Sequence, residues 1–172
     1  VTAASMVENL KGQGITVSNV VYTGHVRAGG TFSGGTSAGL GIPDGILLSS
    51  GAVTNIIGPN NSASKSTNNA MPGDSDLDII AGDITNDAAT LEFDFVPQYD
   101  KISMQYILAS EEYPEHIDYS DVLAIIVDGV NIAVLPGTTT PVSVANVNSL
   151  NNSQYYRDNQ PNNNDYSSPY TA

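Results

Sequence analysis

The sequence predicts a mainly β fold: a β-sandwich with one N-terminal helix and two long loops. Three observations predict it. About seven short apolar or alternating runs recur at hairpin spacing after Ile15. Only one stretch, near the start, carries helical periodicity. The length of 172 residues suits a single domain spanning 1–172 with a real core.

Taken in order, "TAASMVENLKGQG" is the helix. Thr2 or Ser5 can accept its first free N–H groups, and Met6, Val7 and Leu10 share one face. Gly12 or Gly14 can end it in the left-handed conformation. "ITVSNVVYTG" is alternating and β-branched, and "GILLSSG" is short and apolar. "ATLEFDFVP" sets Leu91, Phe93 and Phe95 against Glu92 and Asp94, as a half-buried strand does. "KISMQYILAS" repeats that alternation with Ile102, Met104, Tyr106 and Leu108. "DVLAIIVDGVNIAVLPG" holds Asp128-Gly129 between two apolar runs, a two-residue hairpin signal. "PVSVANV" adds a last strand. The two loops are the Gly-rich "TGHVRAGGTFSGGTSAGLGIPDG" and "GPNNSASKSTNNAMPGDSDLDIIAGD", which is polar and then acidic. The tail from Asn148 is polar and Tyr-rich, either linker or a loop tied to the core.

Charge narrows the partners. The chain has 18 acidic residues against 5 basic, a net charge of −13, with 40% hydrophobic residues. Such a surface repels nucleic acid and anionic membranes and attracts cations. Fourteen of the 18 acids lie between Asp74 and Asp128, so the charge belongs to a region. No apolar run approaches the ~18 residues of a membrane span, so no membrane insertion is expected. The absence of cysteine leaves the compartment open. The chain starts at Val1, which suggests a piece of something larger.

Two acidic stretches can carry chemistry. In "GDSDLD", Asp74, Asp76 and Asp78 alternate as at the start of an EF-hand loop. The pattern fails at its sixth position, Ile79, and at its twelfth, Thr85. In an extended segment the three carboxylates would still share one face, where a hard divalent cation relieves their repulsion. A solvated acidic turn is the plainer alternative. The second stretch, "SEEYPEHIDYSDV", places Glu111, Glu112, Asp118 and Asp121 in a short connection between apparent core strands. With two histidines and no cysteine, the donors suit calcium, which takes six to eight oxygens, and not zinc or copper. His116 reads as a surface residue.

Enzymatic readings fit less well. Adjacent Glu111 and Glu112 point apart if extended, so they make no acid–nucleophile couple for glycoside hydrolysis. "GTSAG", Gly35 to Gly39, matches the nucleophile-elbow pattern but lies in a Gly-rich loop, not between strand and helix. Asn60-Asn61-Ser62 and Asn151-Asn152-Ser153 are glycosylation sequons in form only. The expectation is a protein that is not an enzyme.

"GTFSGG", "GIPDGILLSSG", "GPNNS", "GDSDLD", "LEFDFVP", "YILASEEYPEHIDYSDVLAIIVDGVNIAVLPG" and "VSVANVN" stand in the order seen in the choice-of-anchor L domain. The chain resembles that module of bacterial secreted and surface proteins from about Met6 to Asn159, most specifically from Leu91 to Gly137. It is also similar to the peptide-binding modules of giant calcium-dependent adhesins, where Ca²⁺ helps hold a peptide's C-terminal carboxylate. The resemblance implies an extracellular domain of a larger protein, on the bacterial cell surface, that binds a peptide or protein on a target cell. It implies Asp74, Asp76, Glu111, Glu112 and Asp121 as the calcium and ligand end, with Asp78 and Asp118 beside them. Ser50 and Gly51 of "LSSG", with Ser110 and Tyr113 of "SEEY", then fall on the ligand side. Two departures stand out: Ser120 replaces a usual Asn, and the family pattern continues past this chain's last residue with further strands. A calcium-dependent carbohydrate-binding module and a calcium-stiffened domain without ligand are the alternatives.

Overall fold

The computed structural model describes residues 1–57, 65–114, 116–119 and 121–158. They form two compact units. The first comprises Val1–Ile57, Ser66–Met71 and Asp87–Tyr106; the second takes in Pro72–Asn86 and the described residues from Ile107 onward.

The first unit begins with helix α1, Ala3–Leu10. Thr2 and Ser5 cap it reciprocally: Thr2 Oγ1 accepts from Ser5 N at 3.1 Å, and Ser5 Oγ accepts from Thr2 N at 3.0 Å. Met6 and Val7 are buried, on the face expected. The helix ends without a left-handed glycine, because Lys11 is already extended at φ −68°. Gly14, at φ +76°, instead turns the chain into β1, and its carbonyl accepts from Gln98 N.

Strand β1 (Ile15–Thr23) pairs antiparallel with the strand Thr90–Pro97, the fourth in the chain and hence β4. The register slips between Ser18 and Val21, where Asn19 adopts φ +53°. This bulge inserts a residue, so the inward set passes from Ile15 and Val17 to Val20 and Tyr22. Asn19 Nδ2 donates to Asp94 Oδ2 at 2.5 Å and ties the bulge to its partner strand. On β4 the alternation holds, with Leu91, Phe93 and Phe95 turned in.

Strand β2 (Gly29–Ser33) lies inside the stretch read as a Gly-rich loop and pairs with β3 (Asp44–Leu48). Its glycines concealed it, since they carry no hydrophobic signal. They also permit it: a Cβ on Gly29 would sit 3.0 Å from the Tyr22 ring. "GTSAG" lies in the hairpin loop that joins these two strands, so no helix follows the serine as a nucleophile elbow requires. Helix α1 packs on β1, β2 and β3.

In the second unit, helix α2 (Ser75–Ala81) was not foreseen. The hairpin of β5 (Ile126–Val127) and β6 (Val130–Asn131) was. Asp128 and Gly129 take φ +49° and +77°, the two-residue turn their sequence demands. The core of this unit is Leu135, Val142 and Val147, with Leu108 and Tyr156 packed against it. Tyr156 thus ties the start of the tail down, and residues 159–172 lie outside the described set.

Among the described residues the strands pair as three two-stranded sheets, a mainly β arrangement. Two expected strands differ. "PVSVANV" makes only single bridges, Val134 to Pro141 and Val122 to Ser143, before turning. "KISMQYILAS" forms no strand, and Ile102, Met104, Tyr106 and Ile107 are exposed. No described residue hydrogen-bonds the backbone of 101–110, and alternation without a paired edge makes no ladder.

Candidate functional site

The acidic connection of the second unit is a run of turns organised by one hydroxyl. Ser110 is buried, at 7% exposure. Its Oγ donates to Asp121 Oδ2 at 3.1 Å and accepts from the Glu112 backbone N–H at 3.1 Å. The backbone of Glu112 and the carboxylate of Asp121, nine positions apart, are thereby held at one point. Burial pushes the Glu112 carboxyl above its usual range, and the charge of Asp121 pushes it further. His116 opposes this weakly from the exposed side of the turn, edge-on to Tyr119 at 5.7 Å. A half-buried carboxylate beside a second one is a place that gains from a cation.

Tyr113 anchors the turn. Its hydroxyl donates to Val147 O, and its ring meets Tyr156 at 5.0 Å. Burial first, then Tyr156 and Asp121, raise its pKa to about 12, so it stays neutral. Its O–H is committed to the fold, and only the ring remains for a ligand. Glu111 is half-buried and Asp118 exposed. Glu115 and Ser120 lie outside the described residues.

"GDSDLD" is helical, which corrects the extended reading. Asp74 is the N-cap: its Oδ1 accepts from Asp76 N at 2.9 Å and Leu77 N at 3.3 Å. Asp76 and Asp78 occupy the first turn, where acids favour the helix dipole. Residues two apart on a helix diverge, so the three carboxylates share no face. Asp78 is also occupied, accepting from Thr85 N and Thr85 Oγ1, each at 2.6 Å. Those bonds hold its pKa below the usual value. Thr85, the residue that breaks the EF-hand pattern, is thus the partner that closes this loop. Gly73 admits the closure, for a Cβ there would lie 2.1 Å from Thr85 O.

Ser50 and Gly51 lie in the first unit. Both of their carbonyls accept from Asn69 Nδ2, at 3.1 and 2.9 Å. Asn69 is 8% exposed. Asp87 holds the Asn69 segment in turn, accepting from Asn69 N at 3.0 Å and Met71 N at 2.6 Å. Asn69, Thr85 and Asp87 were missed in the sequence because none belongs to a motif; each works through a partner 7 to 19 residues away.

For a hard cation, the structure offers the Glu112 and Asp121 carboxylates and the Ser110 hydroxyl, all oxygen donors as calcium prefers. Among the described residues no three His, Asp or Glu side chains gather into one group, so backbone carbonyls and water would complete such a shell. No helix among them is long and apolar enough to cross a membrane.

No curated protein and no solved structure matches this chain. The family model of the choice-of-anchor L domain matches residues 1–171, and the chain belongs to that family of bacterial surface modules.

Proposed function

We propose that the chain is a non-enzymatic, calcium-dependent peptide-binding domain of an extracellular bacterial adhesin. In this reading it completes a β-sandwich within a larger multidomain protein and attaches the cell to a peptide or protein on a target surface. The observation that carries it is the Glu112–Asp121 pair, held over buried Ser110 with the Glu112 pKa raised. A fold that builds this repulsion into a turn gains when a divalent ion enters. Calcium would supply local positive charge, which a domain of net charge −13 needs before it can hold a peptide carboxylate. Glu112 and Asp121 hold the ion, Ser110 fixes their spacing, and the Tyr113 ring walls the turn. Glu111, Asp118, Asp74 and Asp76 contribute further negative charge.

Calorimetry tests this. Calcium should bind and raise the melting temperature, and magnesium at equal concentration should not. The loaded protein should retain free-acid peptides, lose them on chelation and ignore their C-terminal amides. Peptide binding that persists in chelator overturns the reading, and retention of glycans alone replaces peptide by sugar as the ligand.

A further inference from the structure

In the second unit, Val122 and Ser143 form an antiparallel bridge. Leu123 N donates to Val142 O at 3.2 Å on one side of it, and Val144 N to Asp121 O at 3.0 Å on the other. Asp121 and Leu123 therefore turn their backbone groups toward 142–144. Ile125 continues the alternation: its carbonyl accepts from Ile132 N and its N–H donates to Asn131 Oδ1. Val122 and Ala124 face the opposite edge. No described residue bonds their backbone N–H or carbonyl groups, although both residues are half-buried. Such an edge stays costly until a strand or water fills it.

The segment just before the acidic turn has the matching need. The backbone of Ile107, Leu108 and Ala109 bonds no described residue, and Ile107 is 47% exposed. Leu108 packs against Leu135, Val142 and Val147. The Val122–Ser143 bridge sets Leu123 opposite Val142, on one face of that pair. Leu108 and Leu123 thus address the same core. Ser110 Oγ, bonded to Asp121 Oδ2 at 3.1 Å, already joins the two segments at their near ends.

We propose that Ile107–Ala109 is a strap that closes as an antiparallel strand on the edge of Val122 and Ala124, with Ser110 and Asp121 at the base of the acidic connection. The register sets Ala109 opposite Val122, Leu108 opposite Leu123 and Ile107 opposite Ala124. In it the backbone groups of Ile107 and Ala109 meet those of Ala124 and Val122, while Leu108 keeps its core face. A slip of one residue turns Leu108 away from the core, and a slip of two moves Ser110 off Asp121. The strap rests on these backbone groups and not on the calcium reading. Where that reading holds, a cation between Glu112 and Asp121 favours closure, because it removes repulsion at the closed end.

The test is amide hydrogen exchange by NMR on the full chain, in EDTA and again in calcium. The amides of Ile107, Ala109, Val122 and Ala124 should be protected together in either solution, by about tenfold or more in calcium. A nuclear Overhauser contact between the Leu108 and Leu123 Hα protons should accompany the protection. Ile107→Pro removes a ladder donor and should return Val122 and Ala124 to unprotected exchange, whereas Ile107→Val should not. The Val144 amide, held by Asp121 O, should stay protected in both variants and so reports an intact fold. Unprotected exchange at all four amides in both solutions overturns the strap. Protection of Val122 and Ala124 that survives Ile107→Pro also overturns it, since something else then covers the edge. Calcium that binds by calorimetry without protecting these amides overturns the strap and leaves the calcium reading standing. Protection without calcium binding does the reverse.

Discussion

Asp78 and Glu112 are both carboxylates in acidic loops, yet the fold moves them in opposite directions. Thr85 donates twice to Asp78, first through its hydroxyl and then through its backbone N–H, and lowers the pKa from 3.8. A depressed acid adds stability above its unfolded value and loses it as pH falls through the folded one. The protection factor of the Thr85 amide should therefore fall below about pH 4, and Asp78→Ala should lose the same protection at neutral pH. Slow exchange at Thr85 in that variant would contradict the clasp. Glu112 runs the other way. Its pKa lies above 4.5, so its charged form is held against burial and Asp121, and the folded state is penalised at neutral pH. Glu112→Gln should raise the melting temperature in chelator and remove the further rise that calcium gives. A variant that melts lower in chelator and still responds to calcium places the ion elsewhere.

At the scale of elements, short pieces are set by end groups. Helix α2 has seven residues, too few to persist without its cap and without Asp78 reaching Thr85. Asp74→Ala should cost ~1 kcal/mol in chelator, and Asp74→Asn almost nothing, because asparagine caps equally well. Equal losses in urea denaturation would argue that charge, not capping, is what Asp74 supplies. The β5–β6 turn makes a parallel case: Gly129 sits at φ +77°, and Gly129→Ala should cost ~1 kcal/mol. A cap on α1 from Thr2 or Ser5 and this turn were both legible, since each is written in nearby residues; that Thr2 and Ser5 cap reciprocally is the structure's addition. Helix α2 was not. Its acids alternate as a strand or a metal loop would, and the competing interaction is Asp74 turning back to its own backbone.

Over the whole molecule the dominant fact is charge. Fourteen acids in the segment from Asp74 to Asp128 repel at any pH where they are ionised, and salt screens that repulsion over ~10 Å at 0.1 M. In chelator the melting temperature should climb with sodium chloride, and micromolar to millimolar calcium should achieve the same rise at constant ionic strength. A melting temperature indifferent to salt would mean that the acids are already neutralised within the fold. The exposed run Ile102, Met104, Tyr106 and Ile107 is the second molecule-wide feature. It is an apolar surface whose backbone pairs with no described residue, the kind of segment that seeks another strand.

By itself the sequence determined the mainly β character, the capped first helix, the inward face of β4 and the Asp128-Gly129 hairpin. Each of these is a local pattern whose period or turn chemistry admits one answer. It also determined the acidic regions and, through the order of its motifs, the family. The tertiary structure decided the rest. It decided that "KISMQYILAS" pairs with no described strand, because alternation chooses a face but only a neighbouring edge supplies hydrogen bonds. It decided that Gly29–Ser33 is a strand, because β3 and the Tyr22 ring select glycines that no hydrophobic pattern reveals. It decided, finally, which acids are already spent on the fold. Asp78 serves Thr85 and Asp87 serves Asn69, whereas Ser110 joins the Asp121 carboxylate to the Glu112 backbone and the charge of Asp121 raises the pKa of Glu112. Carboxylates look alike in a sequence, and only the positions of their donors tell a structural one from one that wants a cation.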